Sequence, residues 1–405
     1  MTSTASPKPL AGIKVLELGT LIAGPFAARL FGEFGAEVIK IESPEGGDPL
    51  RKWRKLQDGT SLWWYVQSRN KKSVTANLKH PEGRDIVRRL AAEADVVVEN
   101  FRPGVLEKLG LGWEDLKAAN PSLVMVRLSG FGQTGPMAKQ PGFGAIGESM
   151  GGLRFITGFP DRPPVKTGIS IGDSIAALFG VIGALMALRH RDAGGGKGAG
   201  QGQVVDVALY EAVFAMMESL VPEFDACAFV RERTGNIMPG ITPSNTHATR
   251  DGQYVIIGGN GDAIFRRLML AMGRTDLAED AGLRDNAGRD ARRDELYGAI
   301  DAWAARHDLA EILDILGRAE VPASRVYAVG DMFSDPQYLA RDMIQSLMLP
   351  GGKTVKAPGI VPKLSETPGG TEWAGPALGE HTDEVLAGLG YGQDDIRRLR
   401  DEGAI

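Results

Sequence analysis

The sequence predicts an α/β fold of the doubly wound kind, in which helices cover both faces of a parallel sheet. Residues 13–18 (IKVLEL) form a short apolar strand, the helical pattern FAARLFGEFG follows Gly24 and Pro25, and the strand EVIKIE begins at Glu37. A strand, a helix and a strand within about 30 residues form a βαβ unit, whose strands lie parallel. The chain therefore opens with the repeating unit of this fold.

The same alternation continues along the chain. The strand KKSVTANL begins at Lys71, a helix with proline in its first turn spans 81–92, the strand DVVVEN begins at Asp95 and the strand SLVMVRLSG begins at Ser122. Proline is well tolerated in a first helical turn, and continuous apolar runs are typical of parallel strands buried on both faces.

The chain of 405 residues is long enough for two domains. A glycine-rich connector at 193–203 precedes the strand QVVDVAL, and a region of mixed character follows from about Glu223 to Arg325. That region contains the hairpin-like segment DGQYVIIGGNGDAIF and helices near 263–273, 293–306 and 309–318. We predict a large domain over 1–200, a linker over 201–224, a small α/β domain over 225–330 and a return to the large domain over 331–405.

The stretch from Thr167 to Arg191 carries the strongest candidate for chemistry. An alternating polar and apolar start, a Gly-Asp pair and about five nearly unbroken apolar turns predict a short strand that delivers Asp173 to the first turn of a buried helix. The helix dipole and the free amides of a first turn favour an ionised carboxylate there, which suits a nucleophile. From this helix alone, a plain N-cap is the favoured interpretation of Asp173, because aspartate is common at that position.

Composition excludes several classes of protein. A net charge of -5 argues against wholesale binding of nucleic acid. The single cysteine, Cys227, excludes an internal disulfide and a cysteine-built metal site, and the five histidines show no metal-ligand spacing, so we expect no metal. The first nine residues lack the apolar core of a signal peptide, and no apolar run of membrane-spanning length is free of glycine and charge. We expect a cytoplasmic protein.

Two loops carry groups that suit a nucleotide with phosphates. Residues 43–72 are rich in lysine, arginine and tryptophan, and Asn100-Phe101-Arg102-Pro103-Gly104 follows a strand at the edge where doubly wound sheets bind ligands. Solvated surface charge is the competing interpretation, and it is favoured for the run at 51–55.

Two short motifs suggest other enzymes and fail on their context. Residues 130–135 match G-x-G-x-x-G, but Pro136 and a polar, broken segment follow where a dinucleotide site needs a helix. Residues 168–172 match the G-x-S-x-G elbow of hydrolases, but Ser170 falls within the alternating stretch and Asp173 takes the corner between strand and helix.

Seven segments, in order and covering essentially the whole chain, together resemble the class III CoA-transferases, the family of formyl-CoA and carnitine CoA-transferases. They are LAGIKVLELGTLIAGPFAARLFGEFGAEVIKIE, SRNKKS, ADVVVENFRPGVLEKLGLG, SGFGQTGP, TGISIGDS, GQGQVVDVALYEAV and GEHTDEVL. The resemblance implies that Asp173, in its Gly-Asp-Ser context, is the catalytic aspartate. It also implies CoA as a co-substrate, with no permanently bound cofactor.

The resemblance further implies a set of CoA contacts. They are Leu21, Ile22, Ala23, Ser43, Ala76, Lys79, Asn100, Phe101, Arg102 and Lys108. At Ser43 formyl-CoA transferase has arginine, and at Ile22 it has glutamine. These two departures argue against the same phosphate contact and the same oxalate-tuned pocket.

The family's architecture implies an interlocked homodimer. Each chain would have a Rossmann-like large domain built from both termini and a small central domain, with the active site between domains of the two subunits. The loop Gly258-Gly259-Asn260-Gly261 could then cover the partner's Asp173, or be a plain turn. The glycines of this loop and of residues 130–135 are candidate donors to an oxyanion.

Three alternatives share the fold. A 2-methylacyl-CoA racemase needs a histidine base in a G-H-D stretch, where this chain has Gly142-Phe143-Gly144. An acyl-CoA isomerase would use the same Asp173 for intramolecular CoA transfer, and a binding module would lack catalysis.

The substrates are predicted from charge and from the resemblance, which is closer to succinyl-CoA-dependent members. Arg154, Lys166 and the arginines of 51–54 could bind a distal carboxylate. We therefore expect transfer from succinyl-CoA, through an aspartyl anhydride and an aspartyl-CoA thioester, to a dicarboxylic acid such as malate, citramalate, mesaconate or a glutarate.

Overall fold

The computed structural model describes residues 8–195 and 197–405. Most of the first nine residues, which were predicted not to be a signal peptide, and one glycine of the connector lie outside the described residues. The chain divides into two compact units. The first comprises the residues up to Arg154, Lys166–Phe229 and Ala340–Ile405. The second comprises Phe155–Val165 and Val230–Leu339.

The strands of the described chain are β1 (Lys14–Glu17), β2 (Glu37–Glu42), β3 (Leu56–Gln57), β4 (Thr60–Ser61), β5 (Lys71–Thr75), β6 (Val96–Glu99), β7 (Val124–Ser129), β8 (Val204–Ala208), β9 (Ser244–Ala248), β10 (Tyr254–Gly258), β11 (Ala323–Arg325), β12 (Ile344–Met348) and β13 (Thr354–Pro358). In the first unit, six of them form one sheet in the order β5-β2-β1-β6-β7-β8. Every pair of neighbours in that sheet is parallel, as predicted.

The helices are α1 (Ala23–Glu33), α2 (Leu62–Gln67), α3 (Pro81–Glu93), α4 (Val105–Lys108), α5 (Trp113–Ala119), α6 (Gly144–Met150), α7 (Leu153–Ile156), α8 (Ile171–Asp192), α9 (Leu209–Phe214), α10 (Leu220–Cys227), α11 (Asp262–Ala271), α12 (Thr275–Ala278), α13 (Asn286–Ala291), α14 (Arg293–Ala304), α15 (Leu309–Arg318), α16 (Val329–Ser334), α17 (Pro336–Ala340), α18 (Thr382–Gly388) and α19 (Gln393–Asp401). Short 3-10 turns lie at Pro49–Lys52 and Ala281–Leu283.

Helices cover both faces of the parallel sheet, which confirms the doubly wound fold. Successive strand residues point to opposite faces, so Val97 packs with α3, α5, α18 and α19, while Val96 and Val98 pack with α1, α8 and α9. The C-terminal helices α18 and α19 belong to the first unit, so the large domain is built from both ends of the chain.

The structure draws the domain boundaries differently from the predicted ones. The predicted linker at 201–224 contains β8 and α9, which belong to the first unit. The small domain, predicted at 225–330, also takes in Phe155–Val165. Local hydrogen bonds explain this, because the amide of Gly235 donates to the carbonyl of Gly158 (2.8 Å) and Arg233 Nη1 donates to the carbonyl of Phe155 (2.8 Å).

Helix α8 is not the fully buried helix that its composition predicts. Its small residues form the face that packs on the sheet: a side chain at Gly180 would meet Val126 and Leu128, and one at Gly183 would meet Val205. Its large apolar residues Leu178, Phe179, Ile182, Leu185 and Met186 are exposed in the single chain. By length and composition alone, α8 is apolar enough to cross a membrane. The face of small residues, however, packs on the sheet of the same chain.

The strand predicted ahead of Asp173 does not form. Residues 163–170 are irregular, and Ser170 is the N-cap position of α8. Alternation alone predicts a strand, but a strand needs a neighbour with which to exchange backbone hydrogen bonds, and two prolines, Pro163 and Pro164, open this segment.

The second unit contains the antiparallel sheet β11-β10-β9, which shares a core with α11, α12, α14 and α15. The glycine loop after β10 lies here. The amides of Gly258 and Gly259 donate to the carbonyls of Pro322 (2.9 Å) and Pro243 (2.8 Å), and the carbonyl of Asn260 accepts from the buried Arg289 (2.8 Å). The amides of Gly258 and Gly259 are thus already used, which argues against these two of the three loop glycines as oxyanion donors.

Candidate active site

Asp173 lies in the first turn of α8 with its carboxyl group against the N-terminus of α6. The backbone amides of Gly144 and of Asp173 itself donate to the carboxylate. Gly144 is required for this approach, because a Cβ atom there would overlap Oδ2 of Asp173. The first turns of two helices thus meet at one carboxylate, which is half-buried.

The electrostatics of Asp173 differ from the simple expectation of a stabilised anion. Burial, followed by the negative charge of Glu148, raises the pKa of Asp173 to about 6, although the two amides act to lower it. Burial and the charge of Glu148 therefore outweigh the lowering of the pKa that the first turn of α8 provides. Above about pH 6 the group is ionised but poorly solvated, a condition that favours nucleophilic attack.

Glu148 is a site residue that sequence reasoning missed. It lies on α6, its side chain is 4% exposed, and its Oε2 atom accepts from Nε of Arg154 at 3.1 Å and lies 3.1 Å from Nη2 of the same guanidinium. The available signal was a lone glutamate in an otherwise apolar and glycine-rich helical segment directly after residues 142–144, where the racemase base was sought.

A cavity of about 500 Å³ opens in front of Asp173, entirely within the first unit. It lies at the carboxyl edge of the sheet, where the loops after β1, β6 and β7 come together, as doubly wound folds predict. Its wall includes seven of the predicted site residues: Leu21, Ile22, Ala23, Asn100, Phe101, Arg102 and Asp173. The structure thus brings six predicted CoA contacts together with the predicted nucleophile, and their binding of CoA stays a prediction.

The other four predicted CoA contacts are not part of this wall. Ser43, Lys79 and Lys108 are exposed elsewhere on the first unit, where a long ligand would have to extend to reach them. Ala76 is 1% exposed and packs in the core, with its amide donating to the carbonyl of Glu42 (2.9 Å), so neither its methyl group nor its amide is available to a ligand.

Asn100 has a structural task on the cavity wall. Its Oδ1 atom accepts from the amide of Thr20 (2.8 Å), and its Nδ2 atom donates to the carbonyl of Thr20 (2.9 Å). Both polar ends of the side chain are therefore engaged within the chain. Asn100 therefore holds the loop that carries Leu21, Ile22 and Ala23.

Buried ion pairs also stabilise the loop that carries Leu21, Ile22 and Ala23. Leu21 has a φ of +64°, a left-handed conformation that costs a residue with a side chain about 1–2 kcal/mol. The carboxylate of Asp48 accepts from the amide of Leu21 at 3.0 and 3.1 Å, and Asp48 pairs with Lys40 at 2.9 Å. Lys40 also donates to the carbonyl of Gly19 and pairs with Glu17, both at 2.7 Å. These contacts hold Leu21 in its strained conformation.

Several cations of the 43–72 segment are part of the interior, contrary to both interpretations made from the sequence. Arg51 pairs with Glu42 at 2.7 Å and stacks on Trp64, with its guanidinium carbon 3.7 Å from the ring centre. Arg69 is 2% exposed and bonds to Glu33, and Lys71 pairs with Glu17 at 2.7 Å. These side chains form ion pairs inside the protein. Arg51 in particular is not available to a substrate carboxylate.

The described residues offer no metal site, and the cavity wall offers no histidine base. No group of three or more histidine, cysteine, aspartate or glutamate side chains could hold a metal ion there. The cavity wall, drawn from the same described residues, contains no histidine. The ionisable wall residues are Arg102, Glu148, Arg154, Lys166 and Asp173.

Comparisons with known proteins show relatives that cover nearly the whole chain. The model of CoA-transferase family III matches residues 10–382 of the chain. "Succinyl-CoA--D-citramalate CoA-transferase" of Chloroflexus aurantiacus is 49% identical over 402 residues, which cover 99% of each chain. "Succinyl-CoA--L-malate CoA-transferase beta subunit" of the same organism is 42% identical over 410 residues, covering all of both. The crystal structure of a CAIB/BAIF family protein from Brucella suis matches with a TM-score of 0.82 at 35% identity, over 95% of this chain and 100% of that chain.

Proposed function

Because the chain belongs to CoA-transferase family III, we propose that it moves CoA from succinyl-CoA to D-citramalate or another four- to six-carbon dicarboxylic acid. The observation that carries the proposal is the carboxylate of Asp173, which is half-buried, touched by two amides and open to a cavity at the carboxyl edge of the sheet. The choice of acids is supported by the similarity to the citramalate and malate enzymes.

The proposed reaction begins when an Asp173 oxygen attacks the thioester carbonyl of succinyl-CoA. The carbon–sulfur bond breaks, giving a mixed anhydride and the CoA thiolate. The thiolate then attacks the aspartyl carbonyl, which releases succinate and leaves CoA on Asp173 as a thioester. The acceptor acid reverses the two steps: its carboxylate displaces the thiolate to form a second anhydride, and the thiolate takes the new acyl group and frees Asp173.

A carboxylate suits this route better than a hydroxyl group. An anhydride and a thioester are both activated, so the energy of the original thioester is kept through every step, whereas a serine ester would be too stable to return the thiolate efficiently. Water would hydrolyse either intermediate, so the site must exclude it. The partial burial of Asp173 and its position against the N-termini of α6 and α8 serve that need.

Intact-protein mass spectrometry tests the proposal. The wild-type chain is mixed with succinyl-, glutaryl-, acetyl- and butyryl-CoA, and then with D-citramalate, L-malate, mesaconate and glutarate as acceptors. We expect a covalent CoA adduct with succinyl-CoA and transfer to at least one acceptor. Free carbon-13-labelled succinate should also enter succinyl-CoA, because intermolecular transfer exchanges the acid and intramolecular transfer does not. No adduct and no transfer with any pair would overturn the proposal.

We further propose that two copies of the chain assemble as a homodimer. The exposed apolar residues of α8 (Leu178, Phe179, Ile182, Leu185 and Met186) form a contiguous face of the kind that a second subunit covers. The interlocked architecture implied by the resemblance offers the occupant, a second copy of the same chain.

The mass in solution tests the assembly. Sedimentation equilibrium at micromolar concentration should give twice the 43.2 kDa of the chain. A monomer would contradict the proposal. So would assembly only in the presence of a second, different chain, an arrangement suggested by the alpha and beta subunits named for the malate relatives.

A further inference from the structure

We propose that Arg154 binds the distal carboxylate of the acyl-CoA, and that the buried Glu148 holds the guanidinium of Arg154 at the cavity wall for this purpose. This role of Arg154 rests on the proposed function. It implies that the preferred substrates are dicarboxylic acids joined to CoA through one of their two carboxyl groups. Arg154 would be a binding residue and Glu148 a positioning residue.

The contact between these side chains leaves Arg154 with unused capacity. Nε and Nη2 converge on a single oxygen of Glu148, each at 3.1 Å, so the pair is held by one edge of the guanidinium. A guanidinium carries five N–H donors in a planar fork and can bond a second carboxylate through another edge. The Arg154 side chain is 26% exposed and lines the same cavity as Asp173, whereas Glu148 is 4% exposed.

Other cations fit this role less well. Arg51 is committed to Glu42 in the interior, and Arg54 is exposed with its guanidinium over the ring of Trp63. Lys166 also lines the cavity, but it is exposed and presents a single, strongly hydrated charge. Of the cations predicted from the sequence to meet a distal carboxylate, Arg154 alone is both on the wall and anchored by a buried partner within the described chain.

The charge balance of the cavity supports the assignment. Asp173 and Glu148 already place two carboxyl groups in the wall, so a substrate with a second carboxylate would enter a region of like charge. Such repulsion and the loss of water make its entry costly unless a cation meets it there. Arg154 supplies that cation. A monocarboxylic acyl group, ending in a methyl group, would gain nothing from it.

The test compares two thioesters that differ only at the far end, succinyl-CoA and butyryl-CoA. Dissociation constants are measured by calorimetry with Asp173→Asn protein, in which chemistry is blocked, with and without Arg154→Gln. A change in the shape of the site acts on both ligands alike. Repeating the comparison in a Glu148→Gln background removes the negative charge that Arg154→Gln would otherwise leave unpaired. A charge-assisted hydrogen bond corresponds to about a 10- to 100-fold change in affinity. We expect Arg154→Gln to weaken succinyl-CoA by that factor and butyryl-CoA by less than about threefold.

Arg154→Lys and Glu148→Gln complete the comparison. Lysine keeps the charge but not the fork, so it should retain part of the preference for succinyl-CoA, and Glu148→Gln should reduce the preference because the guanidinium loses its charged anchor. Lys139→Gln, at an exposed lysine outside the wall, is the matched control and should change neither affinity.

The inference is wrong if Arg154→Gln weakens both thioesters equally, changes neither, or leaves the preference intact while Lys166→Gln removes it. Because these experiments measure binding and not transfer, their outcome does not depend on whether the chain transfers CoA. Wild-type protein that prefers succinyl-CoA but transfers no CoA would contradict the transfer reaction and leave the assignment of Arg154 in place.

Discussion

Replacing Asp173 with asparagine is expected to lower the rate of CoA transfer by at least about four orders of magnitude, the loss typical of removing a nucleophile. Asparagine has nearly the same shape and can still accept from the amide of Gly144, so the cavity should keep its form. Its amide cannot form an anhydride or a CoA thioester. Single-turnover assays with succinyl-CoA should show no covalent adduct, while calorimetry should show acyl-CoA binding within a fewfold of wild type.

The pH dependence of the wild-type adduct belongs to the same prediction. Burial and Glu148 raise the pKa of Asp173 to about 6, and only the ionised form attacks. The rate should therefore be fully developed above that pH and fall as the pH drops through about 6. Asp206→Asn is the matched control for Asp173→Asn and should transfer CoA at the wild-type rate. Burial also raises the pKa of Asp206, and its carboxylate accepts from the backbone amide of Gln133 (2.9 Å), but Asp206 lies outside the cavity wall. Normal turnover by Asp173→Asn would rule out Asp173 as the nucleophile.

Much of this site could be predicted because its parts have local signatures. The strands β1, β2, β6 and β7 are short apolar runs, and the parallel order of the sheet places the residues after them at one edge. Asp173 stands out because it interrupts an apolar stretch at a helix start. Phe101, which follows β6, lines the cavity as the sheet edge predicts, whereas Leu21 was expected at the site only from the family resemblance.

What the sequence concealed depends on pairs that are distant along the chain. Lys71 meets Glu17 and Arg69 bonds to the carbonyl of Pro358, so their positive charges gave no sign that they were internal. Residues 155–165 belong to the second unit, although their composition does not differ from that of their neighbours. They belong there because they form hydrogen bonds with residues near 235. The strand before Asp173 failed because alternation says nothing about a pairing neighbour.

The buried ion pairs beneath the cavity are the clearest case of such hidden structure. The side chain of Lys40 is 1% exposed, and its ammonium pairs with both Glu17 and Asp48. Burial by itself would lower the pKa of Lys40, but the carboxylates of Glu17, Asp48 and Glu42 outweigh it and raise that pKa above its ordinary value. Buried ion pairs add little net stability compared with apolar packing, yet removing one partner leaves an unpaired buried charge.

Replacing Lys40 with methionine is therefore expected to lower the free energy of unfolding of the first unit by about 3–5 kcal/mol. Asp48 would lose its only ion-pair partner in the described chain, and Glu17 would keep only Lys71. Urea unfolding followed by tryptophan fluorescence measures the effect, since Trp64 is buried 5.9 Å from the Lys40 ammonium. Lys72→Met is the matched control on β5: its partners Glu37 and Glu384 are exposed, so it should cost less than about 1 kcal/mol. Equal losses for the two variants would contradict the prediction, because breaking the buried cluster around Lys40 would then cost no more than breaking an exposed ion pair.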